Sequence, residues 1–170
     1  MKKSTIKTYP PFFTYYLSQI LEEDLLIALE HSFNSTEKFL HQIPTEKMEY
    51  KYAPEKWSVK RMLLHIMDAE RIFCYRALSI ARGEKGTMIG FDENEYALTS
   101  HEETYTNQEL FAEYLMIRQH TIHLFKHFSP SVYSNIGIAN GHPVELGAIG
   151  YAILGHEKHH FDFLKKRYLV

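Results

Sequence analysis

Apolar side chains recur every three or four residues in four long stretches of this sequence, and glycine and proline fall almost wholly between those stretches. The stretches run from about Glu22 to Gln42, from Ser58 to about Arg82, from Thr106 to about Phe128, and from Pro143 to about Tyr168. This spacing is the period of an amphipathic helix, and no stretch shows the sustained alternation typical of a half-buried strand. The sequence therefore predicts an all-α fold, a four-helix bundle without a sheet.

Capping residues support these boundaries. Ser58 can accept a hydrogen bond from a free N–H of the first helical turn, and Thr106 followed by Glu109 matches the capping-box pattern. Pro143 suits the first position of the last helix, where its missing N–H leaves no acceptor unpaired. Each long helix except the first therefore has a predicted N-terminus.

Two connections are expected to carry local structure. The segment from Gly83 to Tyr105 is about twenty residues long, and loops of that length are usually functional or partly ordered. The segment from Ser131 to His142 contains Gly137, Asn140 and Gly141 and predicts a hairpin-like turn. A short helical turn is also expected around Phe12–Ile20, before the first long helix.

Size and charge limit the classes of protein that fit. The chain has 170 residues, which predicts a single domain spanning residues 1–170. Nineteen basic and twenty-one acidic residues give a net charge of -2, which disfavours a nucleic-acid-binding protein. No run approaches ~18 consecutive apolar residues, so no membrane span is expected. The one cysteine, Cys74, cannot form an intramolecular disulfide, and we expect a cytoplasmic protein.

Two histidines of the last predicted helix lie on its apolar face. At 100° per residue, His156 and His160 fall in the middle of the arc that holds Leu146, Ile149, Ala152, Ile153, Phe163 and Leu164. His159 is turned about 100° away from His160 and lies at the edge of the arc. Two interpretations stay open from the spacing alone: core histidines bonded to neighbouring groups, or two ligands of one metal ion.

Other helices offer further candidates. His65 lies at the border of the apolar arc of the second helix, whereas His120, His123 and His127 fit an exposed or rim cluster on the third. Glu70 falls in the centre of an apolar arc, where a carboxylate needs a partner or must stay protonated. An ion pair with Arg118 or Arg71 is the favoured interpretation. A supporting group for a metal ligand, or a general base, is the alternative.

Several motifs occur in the order found in one family. They are Tyr52-Ala53-Pro54-Glu55-Lys56-Trp57-Ser58, Leu64-His65-Ile66-Met67-Asp68-Ala69-Glu70-Arg71, Tyr75-Arg76-Ala77-Leu78, Ala81-Arg82-Gly83, Gly90-Phe91-Asp92-Glu93, Gly155-His156-Glu157-Lys158-His159-His160 and Arg167-Tyr168-Leu169. In these motifs the chain resembles the DinB-like superfamily over nearly its whole length. The resemblance implies up-down-down-up topology with a long loop between helices 2 and 3. It also implies a divalent metal ion held by His65, His156 and His160.

The resemblance implies several activities rather than one. Members of the family include thiol S-transferases that use bacillithiol, mycothiol or glutathione, a mycothiol-dependent isomerase, and metal-dependent hydrolases. We therefore expect a thiol transferase or hydrolase acting on a small molecule, and a homodimer. Zinc or nickel is the expected metal, with iron or manganese as alternatives. A non-catalytic bundle that binds a metal or a small molecule is the alternative function.

Several other polar residues are candidates for supporting or catalytic roles near the three histidines. Ligand histidines usually donate their second N–H to a carboxylate or carbonyl, and the candidates nearest in sequence are Asp68, Glu70 and Glu157. The candidate catalytic residues are Glu70 and Arg118, and Tyr96 and Arg118 are placed at the mouth of the site. Cys74 lies on the side of its helix away from His65, so a reacting thiol would have to come from a cosubstrate.

Overall fold

Six α-helices and three short strands form from residues 1–169, which are the residues that the computed structural model describes. The helices are α1 (Phe13–Ser18), α2 (Leu25–Gln42), α3 (Val59–Ala81), α4 (Glu93–Leu98), α5 (Asn107–Lys126) and α6 (Leu146–Arg167). The strands are β1 (Thr87–Met88), β2 (Ile136–Ala139) and β3 (His142–Glu145). The four long helices, α2, α3, α5 and α6, confirm the predicted all-α bundle.

Side-chain contacts give the direction of each long helix. In α2 and α6, Thr36 contacts Glu157 and Phe39 contacts Phe161, so residue numbers rise together and the helices are parallel. Helices α3 and α5 are parallel for the same reason.

The contacts between α3 and α5 join Glu70 to Arg118 and Cys74 to Thr121, so residue numbers again rise together. Between α3 and α6 the order is reversed, because His65 faces His160 whereas Phe73 faces His156. The long helices therefore run up-down-down-up, as predicted.

Capping interactions define the N-termini of α3 and α5 where the sequence predicted them. The Ser58 hydroxyl accepts a hydrogen bond from the Arg61 N–H at 3.0 Å. Thr106 and Glu109 form both hydrogen bonds of a capping box. Helix α2 begins at Leu25 rather than at Glu22, because the Asp24 carboxylate accepts hydrogen bonds from the next helical N–H groups.

The prediction that the chain has no sheet is wrong. Strands β2 and β3 pair antiparallel, and β1 adds in parallel to the free edge of β2. Asn140 and Gly141 connect β2 to β3, and both have positive φ, as a tight hairpin turn of this kind requires. The predicted hairpin-like turn is therefore confirmed, but the strands on either side of it were missed because each has four residues at most.

The predicted start of the last helix is also wrong. Pro143 lies in β3, paired with Ile138, and α6 begins three residues later at Leu146. Proline lacks a backbone N–H, so it is accepted in an edge strand such as β3 as well as in the first turn of a helix. The backbone N–H groups of Lys7 and Thr8 donate to the Glu145 carboxylate, which fixes the N-terminal segment against the start of α6.

Two apolar clusters fill the bundle, and a layer of polar side chains separates them. One cluster includes Leu29, Cys74, Phe125 and Leu154, and the other includes Phe39, Met67, Tyr114 and Phe161. Between them along the four helices lie the half-buried Ser32 and the buried polar residues Thr36, Glu70, Arg118, Thr121 and Glu157. Of the two partners predicted for Glu70, Arg118 forms the ion pair within this layer, whereas Arg71 pairs with Asp68 and Glu113 at the surface.

Across the described residues, each helix is too short or too polar to cross a lipid bilayer.

Candidate metal centre

Three imidazole rings converge between α3 and α6. The Nε2 atom of His156 lies 3.1 Å from the Nε2 atom of His65 and 3.1 Å from the Nε2 atom of His160. Potential ligand atoms of all three side chains lie within 4.8 Å of one another. The structure therefore brings together the three histidines that the family resemblance implied.

Helix geometry explains the convergence. His156 and His160 are one turn apart on α6, so their rings lie on the same face with their centroids 4.5 Å apart. His65 reaches them from α3, which packs antiparallel against that face. The site is therefore held by two long helices rather than by a loop.

Aromatic rings lie against two of the three histidines, His65 and His156. Trp57 lies 5.1 Å from the His65 ring, centroid to centroid, and Tyr16 and Phe73 lie 5.7 Å and 6.1 Å from the His156 ring. His156 is itself 7% exposed. This apolar surround disfavours a charged imidazolium and favours neutral ligands.

Burial changes the proton affinity of all three side chains. Burial, reinforced by the neighbouring imidazoles, lowers the pKa of His156 well below its usual range and the pKa of His160 to about 3. Burial also lowers the pKa of His65, while the negative charge of Glu93 partly opposes this shift. The three rings are therefore neutral at neutral pH, the form that binds a metal ion.

The three nitrogen atoms fit a metal ion better than they fit one another. A neutral imidazole presents either one N–H or one lone pair at Nε2, so the single Nε2 of His156 cannot pair with both of its neighbours. A zinc ion with nitrogen ligands at ~2.0–2.1 Å in tetrahedral geometry holds them about 3.3 Å apart. The observed separations of 3.1 Å are close to that value, so the donor set and its spacing suit a divalent transition-metal ion.

The acidic residues predicted to accept hydrogen bonds from the histidines have other partners. Glu70 receives two hydrogen bonds of 2.8 Å from the Arg118 guanidinium, and Glu157 accepts one of 3.0 Å from the same group. Asp68 accepts a hydrogen bond from Arg71 on the helix surface. Among the described residues, no hydrogen bond joins these carboxylates to the three imidazoles.

The candidate catalytic pair lies inside the bundle. Arg118 is 0% exposed and Glu70 is 3% exposed, and each is saturated by the polar layer. Tyr96, predicted at the mouth of the site together with Arg118, packs against Phe91 beside β1 instead. In this arrangement Glu70 and Arg118 support the helices that carry the histidines, and neither touches them.

The other histidines lie outside the cluster. His159 is turned away from His156 and contacts the rings of Tyr15 and Tyr16. His123 in the last turn of α5 and His127 directly after it stack on each other at the surface, and His120 lines a groove between α3 and α5. None of these three histidines belongs to the group that could hold a metal ion among residues 1–169.

Two charged residues near the histidines were not predicted as site residues. The charge of Glu93, in the first turn of α4, acts on both His65 and Tyr16. Arg76 is 8% exposed because the N-terminal segment and the 84–92 loop cover its side of α3. Glu93 belongs to the Gly90–Glu93 motif and could have been found there, whereas helical spacing gives no indication that Arg76 is buried.

Comparisons with known proteins place the chain in a family. The sequence profile of the DinB superfamily matches residues 28–164. No curated protein sequence matches the chain significantly.

Two solved structures share the fold. YfiT from Bacillus subtilis is described as a probable metal-dependent hydrolase with an unusual four-helix bundle topology. It superposes with a TM-score of 0.72 at 13% identity, over 84% of this chain and 82% of YfiT. The mycothiol-dependent maleylpyruvate isomerase superposes with a TM-score of 0.64 at 12% identity, over 89% of this chain and 60% of the isomerase. From its helix order, its three clustered histidines and the profile match, the chain belongs to the DinB superfamily.

Proposed function

We propose that this protein is a metal-dependent enzyme acting on a small molecule, either as a transferase of a low-molecular-weight thiol or as a hydrolase. The observation that carries the proposal is the convergence of three neutral imidazoles, from His65, His156 and His160, in an aromatic surround. Zinc and nickel are the metals that this ligand set favours, with iron and manganese as alternatives. YfiT is described as a probable metal-dependent hydrolase, which supports the hydrolase, and the isomerase is described as mycothiol-dependent, which supports the use of a low-molecular-weight thiol on this fold.

Three protein ligands leave at least one coordination position for a reactant. A divalent ion there supplies Lewis acidity, which lowers the pKa of a water or thiol nucleophile. The protein ligands orient this chemistry, because two of them are fixed on one rigid helix and the third on its antiparallel neighbour. The aromatic side chains around them limit the access of bulk water.

Two polar groups act on the histidine cluster from outside it. The negative charge of Glu93, an exposed carboxylate, acts on His65. Burial raises the pKa of Tyr16, so its hydroxyl keeps its proton at neutral pH and can donate to a developing negative charge. Neither group takes part in the buried ion pairs of the polar layer.

A thiol nucleophile would have to be supplied in solution. Burial raises the pKa of the Cys74 thiol to about 12, and its sulfur atom lies 3.2 Å from the Thr121 hydroxyl inside the bundle. The thiolate form is therefore negligible at neutral pH. Transferase chemistry here requires a low-molecular-weight thiol as cosubstrate.

A paired assay of the metal-loaded protein tests the proposal. One arm offers an electrophile with bacillithiol, mycothiol or glutathione, and the other offers ester and amide substrates. Turnover in one arm, lost in His65→Ala and retained in His159→Ala, is the expected result. No turnover in either arm, with one metal ion per chain confirmed, would instead support the non-catalytic binding bundle.

A further inference from the structure

A small cavity adjoins His156, one of the three clustered histidines. It has a volume of about 180 Å³ and lies between the N-terminal segment, α3 and the β2–β3 hairpin. Its lining is mostly aromatic and aliphatic, and it includes Phe12, Phe13, Tyr16, Phe73, Phe91 and Ile149. His156 forms part of the same wall, so a molecule in this cavity would lie against one of the metal-ligating residues.

The lining of this cavity contains one arginine, Arg76, and no lysine. The Nη2 group of Arg76 donates a 3.0 Å hydrogen bond to the carbonyl oxygen of Ile89. Its Nε atom is the one buried side-chain nitrogen or oxygen among residues 1–169 that has no hydrogen-bond partner. No carboxylate of the described residues forms an ion pair with Arg76.

Other buried cations of this chain have acidic partners. Arg118 is bonded to the carboxylates of Glu70 and Glu157, and Lys60 pairs with Glu49 at 2.7 Å. A buried charge without a partner is unfavourable, and native proteins rarely keep one. The missing partner of Arg76 therefore points to an anionic group that arrives with a ligand.

The geometry points to Arg76 as the binding residue for a carboxylate, on a small organic acid whose apolar body fills this cavity beside His156. This inference rests on the proposed function, because it names the substrate class of the site formed by the three histidines. A guanidinium presents paired N–H donors that match a carboxylate, and a single cation suits a single negative charge. A cavity of about 150 Å³ accommodates benzene, so the space beside Arg76 suits a ring of that size.

Phe73 connects the two ends of this site. Its ring centroid lies 6.0 Å from the Arg76 guanidinium carbon and 6.1 Å from the centroid of the His156 ring. An apolar group packed on Phe73 would therefore have the arginine at one end and the histidine cluster at the other. The inferred ligand is bound by its charge at Arg76 and presents its other end to the histidines.

Calorimetric titration with benzoate tests the inference, with neutral benzamide as the matched ligand. The metal-loaded wild type should bind one benzoate per chain at least tenfold more tightly than benzamide. Arg76→Gln should lose that preference. Arg82→Gln, which removes the same charge from an exposed position near the end of the same helix, should change benzoate affinity less than twofold.

Equal affinity for benzoate and benzamide in the wild type, or no benzoate binding at millimolar concentration, would overturn the inference without any variant. Equal benzoate affinity in Arg76→Gln and Arg82→Gln would overturn it too, since the carboxylate would then bind elsewhere, for example at the metal ion. If Arg76→Gln does not fold, Arg76→Met replaces the buried charge with an apolar chain of similar length and takes its place.

Metal analysis of the same samples separates the two proposals. Arg76-dependent benzoate binding in a protein that holds no metal would leave this inference standing and contradict the proposed function. One metal ion per chain without Arg76-dependent benzoate binding would contradict this inference and leave the proposed function standing.

Discussion

Three histidines within five residues of α6 have two different environments. His156 and His160 face α3 and meet His65, whereas His159 faces the rings of Tyr15 and Tyr16. Helical spacing alone predicted this separation, since 100° per residue places His159 to one side. It did not identify His65 as the third member, because His65 lies at an arc border and only the family resemblance implied its role.

The lowered pKa values of the histidines predict an acid-dependent loss of stability in the metal-free protein. The unfolded chain binds a proton at each histidine below pH ~6.5, whereas His160 in the fold stays neutral down to about 3. The contribution of His160 is therefore fully present above pH ~6.5 and decreases as the pH falls towards 3. Between pH 7 and pH 5 it should remove roughly 2 kcal/mol from the free energy of unfolding.

Urea unfolding of the wild type and His160→Gln at both pH values measures this difference. The wild type should lose roughly 2 kcal/mol more than the variant between pH 7 and pH 5, because the variant has no imidazole at this position. An equal loss in both proteins would show that His160 titrates normally in the fold.

Arg118 should contribute strongly to stability. Its replacement by alanine leaves the buried carboxylates of Glu70 and Glu157 without their cation, which typically costs about 3–5 kcal/mol. Arg71→Ala is the matched control, because its ion pairs with Asp68 and Glu113 are partly exposed and should be worth less than ~1 kcal/mol. Denaturant unfolding of both variants checks this, and similar losses in the two would contradict the account.

At the scale of helices and strands, Gly155 permits the close packing of α1 on α6. A Cβ atom at this position would lie 2.2 Å from the carbonyl oxygen of Tyr16, which belongs to backbone and cannot rotate away. Gly155→Ala should therefore destabilise the fold by about 1–3 kcal/mol and move the Tyr16 ring away from His156.

Gly86→Ala is the control for that substitution, since its Cβ would meet only the flexible side chain of Glu84 in an exposed loop. Thermal unfolding measures the stability of both variants. An unchanged Gly155→Ala protein would show that α1 does not pack tightly on α6.

Local chemistry predicted helix ends better than it predicted strands. Ser58 and the Thr106–Glu109 pair define helix starts because their side chains bond to the backbone within one turn. Strands β2 and β3 have four residues each and pair largely through their backbones, so they leave little periodic pattern. Pro143 is compatible with a strand edge and with a helix start, and the sequence alone could not distinguish the two.

On the scale of the whole molecule, the up-down-down-up order creates the histidine cluster. Because α3 and α6 are antiparallel neighbours, His65 near the start of α3 meets His160 and His156 in the second half of α6. The 82–106 connection returns the chain from the end of α3 to the level at which α3 begins, so that α5 can run parallel to α3. The 84–92 loop within it also covers Arg76, and such long-range coverage has no signature in helical spacing.

We propose that the protein is a homodimer, from the family resemblance and its high aromatic content of 14%. Light scattering at micromolar concentration should give twice the chain mass of 20.1 kDa. A mass near that of one chain at this concentration would contradict the proposal.

The metal content of four alanine variants tests directly whether His65, His156 and His160 hold one divalent ion. Elemental analysis should find one ion per chain in the wild type and in His159→Ala, which keeps all three converging Nε2 atoms. His65→Ala, His156→Ala and His160→Ala should each lose stoichiometric metal, since each removes a ligand from the cluster. Full occupancy in His156→Ala or His160→Ala, or loss of metal only in His159→Ala, would contradict the account.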